Sequence, residues 1–183
     1  MPKEPNWLNQ VHGTHVATLP IDSPLEADAS VAIRASDVSC VMTADCLPVF
    51  LCDKKGSRVS AIHAGWRGLA AGVIESAFEA LGAEPDQVLA WMGPAIGPQA
   101  FEVGQDVVEA FADSSTPESF QSTKPGKWLA NIYDLARVRF QRLGIRQIYG
   151  GDLCTYSDPK RFFSYRRDKV TGRMASMIWI EET

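Results

Sequence analysis

Three residues with the chemistry to hold a metal or to attack a substrate stand in small-residue surroundings. His12 sits in Asn9-Gln10-Val11-His12-Gly13, Cys46 in Thr43-Ala44-Asp45-Cys46-Leu47-Pro48, and His63 in Ala61-Ile62-His63-Ala64-Gly65-Trp66-Arg67-Gly68. A glycine beside a histidine lets the backbone turn and a ligand approach closely. Pro48 cannot donate to a strand ladder, so Cys46 is expected at a kink. Two imidazoles and one thiolate are good zinc ligands, and three protein ligands leave a fourth position open, as in catalytic zinc sites. The same residues also read as a Cys46 nucleophile with His63 as its base. Taken singly, each reads as a structural histidine or a small buried hydrophobe. Spacing alone does not decide among these, because the three residues come from three separate elements.

Two further stretches carry chemistry of lower specificity. Gly93-Pro94-Ala95-Ile96-Gly97-Pro98 reads as a rigid loop able to wall a pocket, and it matches no phosphate-binding loop. Phe162-Phe163-Ser164-Tyr165-Arg166-Arg167-Asp168 offers aromatics to stack on a ring and arginines to hold an anion. It reads equally as an amphipathic edge segment. His15 is expected at the surface, and Asp45 is expected either to orient a ligand or to cap a turn.

The elements that position these residues follow from periodicity and breakers. Strands are expected over Val11 to Leu19, Val38 to Met42, Pro48 to Cys52 and Arg58 to Ala64, the last two joined by a turn at Lys54-Lys55-Gly56-Ser57. Leu69, Ala70, Val73, Ile74, Ala77, Phe78 and Leu81 recur at helical spacing, and Gly82 lies where a C-terminal cap belongs. A strand is expected over Val88 to Met92 and a short helix from Asp106 to Ala112. Asp113 to Lys127 is rich in Ser, Thr and Pro and reads as a surface loop. A second long helix is expected with Leu129, Ile132, Leu135, Ala136, Phe140 and Leu143 inward, closed by Gly144. Ile145 to Tyr149 and Met174 to Ile180 read as final strands. Strands and helices mix without strict alternation, which predicts an α+β layered sandwich with mixed β-sheets and flanking helices.

Composition narrows the function classes. The 183 residues are 45% hydrophobic and 22% charged, close to the globular average. A net charge of -4 and a pI near 5.4 provide no electrostatic footprint for nucleic acid or an anionic membrane. The basic cluster of Arg161, Arg166, Arg167, Lys169 and Arg173 is too small to alter that. No run of 18 apolar residues is present, and the first residues carry no apolar leader, so a cytoplasmic protein is expected. Cys40, Cys46, Cys52 and Cys154 lack paired spacing and are expected to be reduced.

Taken together, the segments resemble the YfiH-like family, also described as laccase-domain or multicopper polyphenol oxidases. The resemblance rests on Gln10-Val11-His12-Gly13, Thr43 to Val49, His63 to Gly68, Gly93 to Pro98, Phe101-Glu102-Val103-Gly104 and Phe162 to Asp168, in family order and over nearly the whole chain. It implies one domain over 1–183, without the N-terminal segment of several tens of residues that family members carry. It also implies zinc held by His12, Cys46 and His63, phosphorolysis of adenosine, inosine or methylthioadenosine, and deamination of adenosine. On that reading the metal activates water for deamination. Arg67 and Arg166 are then the candidates to hold phosphate, and Phe163 and Tyr165 those to stack on the base. The older family name implies copper and phenol oxidation. A blue multicopper enzyme needs a His₂Cys site and a further histidine-rich cluster, and three histidines do not supply both. A single copper at the same ligands remains compatible with the donor set. A metal-free Cys-His amide hydrolase acting in cell-wall precursor editing is the alternative from another class, and an inactive metal-binding or partner-binding remnant is a further one.

Overall fold

A small buried acid decides where the first strand begins. In the computed structural model, which describes residues 2–181, β1 covers only Val16–Thr18. The residues before it turn instead of extending, because the backbone N–H groups of Val11, His12 and Gly13 donate to the Asp28 carboxylate and not to a neighbouring strand. The strand expected from Val11 is therefore shorter than its apolar pattern suggests. β2, Ala29–Ala32, was not foreseen: all four residues are buried, so no alternation betrays it.

The central sheet has six strands. β4 (Leu47–Asp53) and β5 (Val59–Ala64) form the expected hairpin, β6 is Val88–Met92, and β10 is Gln147–Gly150. Their order is β1-β2-β5-β4-β6-β10, antiparallel inside and parallel at both edges, which makes the sheet mixed. β3 (Ser39–Thr43) pairs antiparallel with β11 (Met174–Ile178) in a second layer. Ser39 pins that layer to the first: its Oγ donates to the Ser30 carbonyl and accepts from Ala61 N.

Helices cover the opposite face. The helix expected across Leu69 to Leu81 is two, α1 (Trp66–Ala71) and α2 (Val73–Leu81). The break is Gly72 at φ 100°, a left-handed conformation that glycine adopts at little cost. Val73, Ile74, Ala77 and Leu81 still point into the main core. Between β7 (Glu102–Val103) and the last long helix lie α3 (Gln105–Ala110), β8 (Phe120–Lys124) and β9 (Lys127–Ala130). The segment expected as a loop thus holds a strand, and Leu129 belongs to β9 and not to a helix. The helix itself, α4 (Ile132–Arg142), starts where Asn131 Oδ1 accepts from Asp134 N. A last turn of helix, α5 (Tyr165–Asp168), is capped by Ser164. The architecture is the expected α+β sandwich. No helix among the described residues is long and apolar enough to cross a membrane.

Candidate metal centre

His63 is the next-to-last residue of β5 and is 3% exposed. Its Nδ1 donates to Asp28 Oδ1 at 2.7 Å, and its backbone N donates to the Asp28 carbonyl at 2.7 Å. With Nδ1 committed, Nε2 is the nitrogen left for a ligand. The second Asp28 oxygen accepts from Val11 N and Gly13 N, while Oδ1 also takes His12 N. One carboxylate with no solvent exposure therefore holds both histidine-bearing segments. Burial works against its ionisation, yet the bonds from His63, Gly13 and His12 keep its pKa below the usual aspartate value.

His12 sits at φ 63° inside this turn, and its ring stands edge-on to that of His63, 4.7 Å between centroids. Gly65, just after β5, explains part of the spacing motif. A Cβ there would lie 2.6 Å from His12 Cδ2 and 3.2 Å from Cys46 Sγ, so only glycine leaves the ring its place. Cys46 follows Asp45, which bends the chain at φ 89° between β3 and β4. Asp45 is buried and orients no ligand directly. Its carboxylate accepts from Thr155 Oγ1, Ser164 Oγ and Arg166 N, which straps the Phe162–Asp168 stretch to the cysteine turn.

The three expected residues converge. Ligand atoms of His12, Cys46 and His63 all lie within 4.8 Å of one another, and Cys46 Sγ is 3.7 Å from His12 Nε2. Bond lengths of about 2.3 Å to sulfur and 2.05 Å to nitrogen at a tetrahedral angle give an S···N edge of about 3.6 Å. The donor set and spacing thus fit a tetrahedral divalent ion with one position open. The metal-free electrostatics are those of an ion pair. Burial opposes a charged Cys46, but hydrogen bonds from His12 and His63 bring the thiol down to about 6. Burial likewise disfavours a charged His63, but Asp28 and the Cys46 thiolate lift it to about 9.

The centre opens on a cleft of about 440 Å³, walled among others by Gln10, His12, Thr43, Cys46, Tyr165 and Arg173. That volume is within the roughly 300–1,000 Å³ of small-molecule sites. A second, apolar cavity of about 130 Å³ lies on the other side of Cys46, between Trp66, Ile96, Phe101 and Arg166. Tyr165 borders both. The expected wall from the Gly93 to Pro98 loop is thus contributed by Ile96.

The four residues proposed from sequence for substrate contact separate. Tyr165 is at the site, half exposed. Arg166 borders the small cavity, and its guanidinium donates to the Glu102 carbonyl at 2.9 Å. Arg67 is exposed and lies over the Trp66 ring at 4.4 Å, away from the walls of both cavities. Phe163 packs its ring on Gly172 and also stays off those walls. Their residue types suited the chemistry, but the direction of each side chain is set by packing. Sequence reasoning missed Asp28, whose only signal is an acid among buried alanines, and Arg173, which was counted only as part of a basic cluster. His15 is exposed as expected, with Nδ1 2.7 Å from the Glu26 carbonyl. Cys40, Cys52 and Cys154 are free thiols outside the triad.

Comparison with known proteins identifies the family. Residues 1–181 match the family model described as multi-copper polyphenol oxidoreductase laccase. The purine nucleoside phosphorylase YfiH of Escherichia coli K12 is 51% identical over 98% of this chain and 75% of its own length. A purine nucleoside phosphorylase of Haemophilus influenzae is 50% identical over 99% of this chain and 76% of its own. The crystal structure of a Neisseria meningitidis protein superposes with a TM-score of 0.92 at 47% identity, covering 97% of this chain and 75% of that one. YlmD from Geobacillus stearothermophilus gives a TM-score of 0.86 at 27% identity, over 94% and 72% of the two chains. With a family model matched across almost its whole length and relatives at half identity, the chain belongs to the YfiH-like, laccase-domain family.

Proposed function

We propose that residues 1–183 act as one catalytic domain, a zinc-dependent purine nucleoside phosphorylase that also deaminates adenosine, working in the cytoplasm. The observation that supports this reading best is the convergence of His12, Cys46 and His63 on the wall of a small-molecule cleft. The names borne by relatives at half identity supply the substrate class.

In phosphorolysis the C1′–N9 bond of the nucleoside breaks and a C1′–O bond to phosphate forms. The base leaves with the bonding electron pair and takes up a proton. A zinc ion held by His12, Cys46 and His63 would supply Lewis acidity to this reaction. The chain's own part is to hold the reactants. Asp28 fixes the His63 tautomer, so that Nε2 faces the ligand position. Tyr165, edging both cavities, would lie against the purine ring in this reading. Arg166 braces the Tyr165 turn, spending one nitrogen on the Glu102 carbonyl.

A second reading has one observation of its own. Asp28, His63 and Cys46 line up as acid, base and nucleophile, the order of a Cys-His hydrolase. It gives no role to His12, whose Nε2 is nonetheless 3.7 Å from the sulfur. Copper oxidation of phenols requires ligand clusters beyond the one triad found among the described residues.

The test is direct. Protein loaded with zinc and incubated with adenosine and phosphate is expected to yield adenine and ribose 1-phosphate, with inosine as the deamination product. Absence of both reactions in zinc-loaded protein overturns the reading.

A further inference from the structure

We propose that Arg173 is the residue that binds the phosphate co-substrate, with Thr43 on the same wall of the cleft. This deepens the phosphorylase reading and rests on it for the identity of the anion. The register of the second layer makes the juxtaposition: Met174 is paired with Thr43, so Arg173, one residue earlier, flanks the end of β3 where the chain turns toward Cys46. Both Thr43 and Arg173 border the 440 Å³ cleft that also holds the three metal-ligating side chains.

The other cations nearby are either engaged by acceptors or absent from the wall of this cleft. Arg67 lies over Trp66, and Arg166 donates to backbone carbonyls beside the smaller cavity. Arg167 pairs with Asp168 and donates to the Thr155, Tyr156 and Phe162 carbonyls. Lys169 lies over the Tyr165 ring. Arg173 differs. Its Nη1 donates to the Thr171 and Gly172 carbonyls, each at 3.0 Å, which braces the fork. Among the described residues, Nε and Nη2 have no protein acceptor and no carboxylate pairs with the group. A braced guanidinium with two donors left is suited to a tetrahedral oxyanion. A chain with net charge -4 has no general attraction for phosphate, so a local cation must supply it.

Thr43 is the second observation. It is 1% exposed, and among the described residues its hydroxyl has no hydrogen-bond partner. A buried donor left unpaired is costly to keep, and its place on the cleft wall points to a polar ligand.

The experiment measures inorganic phosphate binding by titration calorimetry on the zinc-loaded chain, beside steady-state KM values for phosphate and for nucleoside. Arg173→Gln is expected to weaken phosphate binding and raise its KM roughly ten- to a hundredfold, the loss of a charge-assisted contact. Zinc content should stay at the native level, nucleoside KM should move far less, and Arg173→Lys should recover part of the loss. Phosphorolysis with an unchanged phosphate KM in Arg173→Gln overturns this inference and leaves the phosphorylase reading intact. Arg173-dependent phosphate binding without nucleoside turnover does the reverse. No phosphate binding by the native chain overturns the inference outright.

Discussion

Asp28 and His63 are joined at 2.7 Å with both side chains shut away from solvent, and the same carboxylate holds the backbone turn that carries His12. The acid is thus the common anchor of two of the three candidate ligand positions. Asp28→Asn keeps the shape but replaces one acceptor oxygen with a donor, leaving N–H groups at residues 11–13 or the His63 ring unpaired. Zinc affinity should fall 10- to 100-fold, the usual cost of losing a partner behind a metal-binding histidine. Breaking a buried pair should also lower stability by roughly 3 kcal/mol. Zinc competition titration and urea denaturation check the two effects, and native affinity in the variant would remove Asp28 from the centre.

The ion pair between Cys46 and His63 gives the metal-free protein a pH signature. The Cys46 pKa is depressed on folding, so its contribution is complete above the unfolded thiol value and is lost as pH falls through about 6. The His63 pKa is raised, so its contribution is complete below the unfolded imidazole value and is lost as pH rises through about 9. Between these limits the gain of one offsets the loss of the other. Below about pH 6 both states hold both protons and above about pH 9 both hold neither, so this pair should leave metal-free stability nearly independent of pH, and a steep dependence in urea denaturation across that range would remove the ion pair. Zinc uptake needs thiolate and neutral imidazole. Between these limits it should release the His63 proton, and below about pH 6 the Cys46 proton as well. Calorimetry in buffers of different ionisation enthalpy counts them.

Gly65→Ala isolates a steric effect. The backbone at residue 65, φ -65° and ψ 154°, suits any residue, so alanine brings no backbone strain. Its methyl would meet His12 Cδ2 at 2.6 Å. The expected outcome is loss of metal affinity of at least tenfold with global stability changed by less than about 1–3 kcal/mol, the range for an overpacked methyl. Equal metal affinity in the variant would show that His12 can move without penalty and is not a fixed ligand.

Much of this centre was legible in the chain, for a local reason. His12, Cys46 and His63 each stand within two residues of a glycine or proline, and such breakers mark places where backbone leaves a ladder. The acid behind them was not legible, because Asp28 acts across 35 residues on His63 and nothing next to it signals the contact. The same holds for β2, whose four buried residues lack alternation, and for the β8–β9 hairpin, whose outer strand is exposed almost throughout and so has a loop-like composition. The break at Gly72 was hidden because the apolar period continues through it. For Arg67 and Phe163, residue type suggested substrate chemistry, yet stacking on Trp66 and packing on Gly172 direct them elsewhere.

The last prediction separates the metalloenzyme from the cysteine hydrolase. Cys46→Ala does not, since both lose their sulfur. His12→Ala does. As a metal ligand, His12 supplies one of three protein bonds, and its loss should cost both bound zinc and nucleoside turnover, the latter by at least a hundredfold. As a mere neighbour of a Cys46 and His63 pair oriented by Asp28, it should change turnover little, because the nucleophile and base remain. Chelation is the independent arm. A strong chelator should silence the native chain, and added zinc should restore it, because the ligands hold the ion without covalent chemistry. The stabilisation should follow the same pattern: bound zinc raises Tm by mass action and chelator removes the increment. Full nucleoside turnover by protein shown to be metal-free by elemental analysis would overturn the zinc mechanism and leave the thiolate of Cys46, already ionised near neutral pH beside His63, as the reacting group.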